Sequence, residues 1–357
     1  MQTKERIVYL DLLRIVSIMA VVCVHTTCQI FNSAVFEMPP IGSLNWNVAA
    51  ILNSFSRYCV PVFIMISGSL FVGRQITIKK IYTKYVLRLL FLFLIWSLFY
   101  SFVYYNSKTI YDIINHTLHG APRFGFLLYI IGLYMISPML TVIVKNRSVT
   151  KYYLLLCFVF CFVIPQIIAL FKDSSISQVS YLMNLADYNI ERMNLQFLMG
   201  MTGFYLLGYY LANENLSVKN RRIIYLLGVA GAALTAYMTI HQSKNTGVAV
   251  YDWLSYLWVN VLFESIAVFV FFKYEVSKIN FNEKWKKAIG VVSRSTLGVY
   301  LLHTAVLDVL LPNVIGINAN SFNALLSVPI IVLTVFCVCS IISIIIMKIP
   351  VIGKRII

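Results

Sequence analysis

The stretch Tyr9–Thr27, YLDLLRIVSIMAVVCVHTT, is apolar enough to cross a lipid bilayer, yet it carries Asp11, Arg14 and His25. A spanning helix needs roughly 20 mostly apolar residues, and the apolar run here extends over 7–32. Its basic start resembles a secretory leader. The three ionisable residues and the lack of a small-residue cleavage site mark it instead as a retained first helix. Arg14 and His25 are separated by almost three helical turns, so both side chains leave one face, about 16 Å apart along the axis. Asp11, one turn before Arg14, shares that face and can pair with it. Lipid does not tolerate such a polar stripe, which must therefore face a protein interior or a wet cavity. A histidine so placed serves either as an interhelical hydrogen-bonding residue or as a catalyst, and the pattern alone does not separate the two.

The rest of the chain repeats the apolar theme. Further runs of spanning length lie at about 46–72, 80–105, 124–145, 151–171, 193–212, 222–240, 251–273, 288–311 and 323–347. Pro61, inside the second, should kink it. Of the 357 residues 60% are hydrophobic and only 12% charged, about half the charge that a soluble domain of this length carries. No hydrophilic stretch is long enough to bury a core of its own, so one membrane domain over 1–357 is expected. With the N-terminus placed inside, Lys and Arg outside the helices divide 21 to 5 in favour of the cytoplasmic segments, alternating at every loop. That is the positive-inside pattern. It predicts an all-α polytopic protein of about ten transmembrane helices with both termini cytoplasmic. The net charge of +16 is thereby explained without a nucleic-acid partner.

Other chemistry is excluded by what is missing. The seven cysteines lie within apolar runs and form no CxxC pair, so neither a disulfide framework nor a metal site is indicated. There is no Walker A or GxGxxG sequence, hence no ATPase or dinucleotide motif. The remaining ionisable residues within apolar runs are Arg57, Glu264, Arg294, His303 and Asp308. Arg57 lies about 16 Å in from the outer end of the second run, at a depth comparable to His25. It can contact substrate or form a structural ion pair with Glu264. Ser67-Gly68 either lets helices approach closely or offers a hydroxyl to substrate. His303 is a second acid/base or substrate contact, or interhelical glue. Asp308 and Arg294 read as helix-end residues.

Four stretches, in order along the chain, resemble the acyltransferase-3 family of integral-membrane O-acyltransferases. Tyr9–Thr27 is similar to its opening signature, with the Arg14–His25 spacing. Ser56–Phe71, SRYCVPVFIMISGSLF, resembles the second-helix motif, Ile130–Pro138, IIGLYMISP, the fourth-helix signature, and Ser293–His303, SRSTLGVYLLH, the late Leu-Gly-Tyr-His segment. The closest look within the family is to small single-domain O-acetyltransferases such as that of enterobacterial common antigen. Many relatives carry His-Leu-Trp before the fourth helix, where this chain has Arg123-Phe124-Gly125, so the acceptor contact of that His and Trp is not carried over. The resemblance implies a multi-pass protein of the bacterial cytoplasmic membrane. It would move an acyl group, most commonly acetyl, from acyl-CoA to a hydroxyl of a surface glycan or its lipid-linked precursor, with no bound cofactor. His25 would be the general base, and Arg14, oriented by Asp11, would contact donor phosphate or thioester. Arg57, Ser67, Glu264 and His303 would contact substrate. A transporter of an acyl or sugar unit, its polar stripe lining a pathway, is the alternative. Reporter fusions at Lys108 and Lys244 are expected to score outside and those at Lys145 and Lys219 inside; one fusion in the opposite compartment would show the helix count to be wrong.

Overall fold

A computed structural model describes residues 7–31 and 37–350, the side chains of 196–199 excepted. Four of the basic residues in the charge count, Lys4, Arg6, Lys354 and Arg355, lie outside the described residues. Among the described residues the chain is helical, without strands, and nine helices are long and apolar enough to cross a membrane. It is an all-α, multi-pass membrane protein.

The spans are α1 (Val8–Phe31), the pair α2 (Leu44–Ser54) and α3 (Cys59–Phe71), α4 (Ile78–Val103), α6 (Gly125–Ile143), α7 (Arg147–Phe171), α10 (Val218–Thr246), α11 (Val259–Tyr274), α12 (Glu283–Ile315) and α13 (Ala324–Lys348). The sixth expected run is met by α9 (Leu195–Asn213), of 19 residues. Two further helices, α5 (Ile110–His119) and α8 (Ser177–Arg192), lie in connections that composition leaves unassigned. Neither buries a residue.

The first helix is the hub, packed against α2, α3, α11, α12 and α13. The second span does not kink at Pro61; it breaks one turn earlier, across 55–58. Pro61 is then the third residue of α3, where a missing N–H costs nothing because no carbonyl of the preceding turn awaits it. The break is tied to α1: the Asn53 side-chain amide donates to Thr27 Oγ1 at 2.7 Å and to the Val24 carbonyl at 3.3 Å.

Close packing of α3 on α9 rests on two reciprocal glycines. A Cβ on Gly68 would stand 1.8 Å from the Tyr205 carbonyl oxygen, and one on Gly208 would stand 2.0 Å from that of Met65. Small residues that let backbones touch are the usual basis of helix association in lipid. The Ser67-Gly68 pair thus includes the close approach expected of it.

The last irregularity lies in α12, which widens from α to π geometry at Ala305. Tyr100 of α4 causes it. Its hydroxyl donates to the Leu301 carbonyl at 2.8 Å and accepts from the Ala305 N–H at 3.0 Å, filling the place of the bond those two backbone groups would otherwise make. A side chain inserted into the ladder is a recognised cause of helix distortion.

Gly68→Ala is expected to lower stability by about 1–3 kcal/mol through overpacking, read as a lower unfolding temperature in detergent. Gly132→Ala, where an added Cβ meets nothing within 4 Å, should not lower it. Equal loss in both variants would contradict the packing described.

Candidate active site

On α1, Arg14, Ile18, Val21 and His25 recur at helical spacing, and all four line one cavity of about 480 Å³. The polar stripe therefore faces a protein interior, as the cost of lipid exposure requires. The opposite walls come from α3 (Val60, Phe63, Ser67), α6 with its preceding turn (Arg123, Phe126, Tyr129, Ile130, Tyr134), Tyr256, and α12 (Thr296, Leu297, Tyr300). The lining is mostly apolar and aromatic with a few polar groups, the usual character of a small-molecule site.

Asp11 is buried on the α12 side. It accepts a 2.6 Å hydrogen bond from Ser293 Oγ and lies 3.5 Å from Arg14 Nη1. Its carboxylate holds the guanidinium toward the N-terminal end of α1, away from His25. The Arg14 side chain is about one-third exposed.

At the other end the His25 ring stacks on that of His303, centroids 5.2 Å apart and planes 24° from parallel. His303 itself is fully buried and does not line the cavity. Its Nδ1 lies 2.6 Å from the Tyr300 carbonyl. A carbonyl only accepts, so Nδ1 carries the proton and Nε2 is the acceptor facing Thr304 Oγ1 at 3.4 Å. His303 is a fixed plate behind His25, which sets the latter's ring orientation.

Ser67 lines the cavity, and its hydroxyl donates back to the Phe63 carbonyl at 2.9 Å. Arg57 sits in the 55–58 break with its guanidinium 5.5 Å from the centre of the Tyr256 ring; Tyr256 lines the cavity and Arg57 does not. Glu264 lies elsewhere, in a separate groove of about 280 Å³ with Phe55, Tyr58, Tyr225 and Phe271. No Arg57–Glu264 ion pair forms, and both Glu264 carboxylate oxygens are buried without a hydrogen bond. The structure thus brings Arg14, His25 and Ser67 into one space, sets Asp11, Arg57 and His303 immediately behind its walls, and leaves Glu264 apart.

Residues that motif spacing does not single out complete the site. Arg123 lines the cavity and pairs with Asp308, Nη1 to Oδ2 at 2.7 Å. Asp308 is therefore more than a helix-end residue. It also accepts from the Gln29 side-chain amide at 3.1 Å, one turn beyond His25 on α1. Arg294, by contrast, is exposed. Among the described residues no cluster of His, Cys, Asp and Glu suited to a metal ion occurs.

Replacing the Glu264 carboxyl should not harm the fold, because a buried carboxyl without a close ion pair or a well-formed hydrogen bond carries a desolvation cost with little to offset it. Glu264→Gln is expected to leave the unfolding temperature unchanged or raise it by a few degrees; a clear fall would reveal a partner that the structure does not contain.

No curated protein and no solved structure matches the chain. One family model does, that of an acyltransferase domain, over residues 7–346. Covering nearly the whole length, including the Arg14–His25 helix and the late segment that ends in His303, it shows that the chain belongs to the acyltransferase-3 family.

Proposed function

We propose that this membrane acyltransferase transfers an acyl group, most simply acetyl, from acyl-CoA to a hydroxyl of a cell-surface glycan or its lipid-linked precursor, in the bacterial cytoplasmic membrane with both chain ends cytoplasmic. The observation that carries the reading is one cavity with Arg14 and His25 on the same wall, three helical turns apart. A separation of about 16 Å along the axis gives the two residues different tasks. Held back by Asp11, the Arg14 guanidinium is too far from His25 to polarise a carbonyl attacked there. Its planar fork suits donor phosphate instead. The donor then lies along the cavity with its thioester at the His25 end.

There the acceptor oxygen attacks the thioester carbonyl while His25 takes its proton. The C–S bond breaks, and the proton passes from His25 to the departing thiolate, leaving the ester and free CoA thiol. A general base of this kind contributes about 10²–10⁴-fold. His303 acts through its contact with His25 as a positioning residue. Arg57 supports the Tyr256 wall with its positive charge, and Ser67 offers a hydroxyl to the bound donor. The transporter alternative gives the Arg14–His25 stripe a pathway but no reason for a base stacked on a second, rigidly held histidine.

Thiol release from acetyl-CoA, measured on purified protein with an acceptor mixture, tests the reading. His25→Ala is expected to lower turnover about 10²–10⁴-fold with donor binding retained. Arg14→Ala should raise the donor KM about tenfold or more, and Arg14→Lys should recover only part of that, since an ammonium cannot reproduce the fork. A well-folded His25→Ala protein with near-normal transfer would remove the mechanism and favour transport.

A further inference from the structure

The cavity contains a second built cation that neither the motif spacing nor the acyl-transfer step uses. Arg123 stands in the turn between α5 and α6 with φ +71°, a backbone conformation uncommon for a bulky side chain and worth explaining where it occurs. Two contacts hold it there. The Tyr300 hydroxyl donates to its carbonyl oxygen at 2.7 Å, and the following ring, Phe124, stacks on Tyr300 with centroids 5.8 Å apart. Beyond the backbone, the guanidinium meets Asp308 through both terminal nitrogens, Nη1 to Oδ2 at 2.7 Å and Nη2 to Oδ1 at 3.4 Å. Gln29 ties Asp308 to α1: its amide nitrogen donates to Asp308 Oδ1 and to the Leu307 carbonyl, both at 3.1 Å, and its oxygen accepts from the Ala319 N–H at 3.1 Å. Strained backbone, ion pair and amide brace together fix one guanidinium on the cavity wall.

The charge balance around it points to a class of ligand. Arg123 is neutralised by Asp308 at 2.7 Å, whereas Arg14, at the far end and 3.5 Å from Asp11, is the cation assigned to the donor's phosphates. Arg57 stands behind the Tyr256 ring and does not line the cavity. Among the described residues, no third Lys or Arg lines the cavity to meet an anionic acceptor. What remains is a guanidinium with N–H donors to spare, beside the aromatic faces of Phe126, Tyr256 and Tyr300. Fixed donors next to aromatic rings suit a ring that presents hydroxyl oxygens at its edge and C–H groups on its face.

We propose that Arg123, held by Asp308, grips the acceptor beside His25 and restricts it to an uncharged, hydroxyl-rich ring such as a neutral hexopyranoside. The assignment deepens the acyl-transfer reading, since it names the acceptor class for the same cavity. The test measures binding rather than turnover, so that the two can fail separately.

Full-length protein in lipid nanodiscs is titrated with phenyl β-glucoside, phenyl β-glucuronide and acetyl-CoA, and each affinity is read from ligand-induced thermal stabilisation. The wild type is expected to bind the glucoside at least about tenfold more tightly than the glucuronide. Arg123→Met should weaken the glucoside about tenfold or more, the scale of a lost hydrogen bond to a charged group, with acetyl-CoA affinity unchanged. Arg123→Lys should fall between, and D308N, which frees the positive charge, should shift preference toward the glucuronide. The proposal is overturned if the wild type binds no glucoside or prefers the glucuronide, or if Arg123→Met keeps wild-type glucoside affinity. Should Arg123→Met fail to fold, Arg123→Lys with both affinities unchanged overturns it equally. Glucoside binding that depends on Arg123, without thiol release from acetyl-CoA, would sustain the Arg123 assignment and remove the transfer reading instead.

Discussion

Everything in this protein is arranged around the cost of keeping ionisable groups of one helix inside a membrane. Each such group costs several kcal/mol if it meets lipid, and α1 carries three. The solution is to make α1 the hub and to give the ionisable and amide groups on it partners, most of them from neighbouring helices. Asp11 has Ser293 of α12 and Arg14, His25 has the His303 ring, and Gln29 has Asp308. Thr27 has Asn53 of α2. The stripe that would be intolerable in lipid thereby becomes one wall of a cavity.

Two of the backbone irregularities follow the same economy. Interrupted helices are tolerated at membrane depth only where the freed groups are buried in protein or line a cavity. The 55–58 break sits against α1 at the level of Asn53 and Thr27, and it places Arg57 behind Tyr256. The widening of α12 begins two residues after His303, where the Tyr100 hydroxyl stands in for a backbone bond, and it carries Asp308 to Arg123. Both distortions lie near the cavity, whereas two other π-widened segments, 81–86 of α4 and 158–163 of α7, do not line it. Elsewhere the helices are held by ordinary close packing, of which Gly68 and Gly208 are the clearest case.

The spans and the α1 stripe were legible because both rest on periodicity: apolar length names a crossing, and the spacing of Arg14 and His25 names a face. What was not legible depends on partners far away in sequence. Glu264 is a candidate counter-ion for Arg57 because the two are among the few charges within apolar runs, yet the break turns Arg57 toward Tyr256 and leaves Glu264 in its own groove. Asp308 lies near the end of an apolar run and gains its meaning only through Arg123, nearly two hundred residues earlier. The one available signal for Arg123 was its place in a stretch that departs from the family pattern. The helices α5 and α8 have apolar faces too short for a hydropathy criterion; Thr109, which caps α5 through a reciprocal bond with Asp112, is the local signal in the sequence.

The central claim is that donor and acceptor meet in the one cavity whose wall runs from Arg14 to His25. A structure of the protein with a non-transferable thioether analogue of acetyl-CoA tests it most directly. The account predicts the analogue's phosphates at Arg14 and its sulfur beside the His25 ring, with the chain between them along Ile18 and Val21. An analogue bound outside this cavity, or one whose sulfur lies at Arg14 with His25 out of reach, would contradict it.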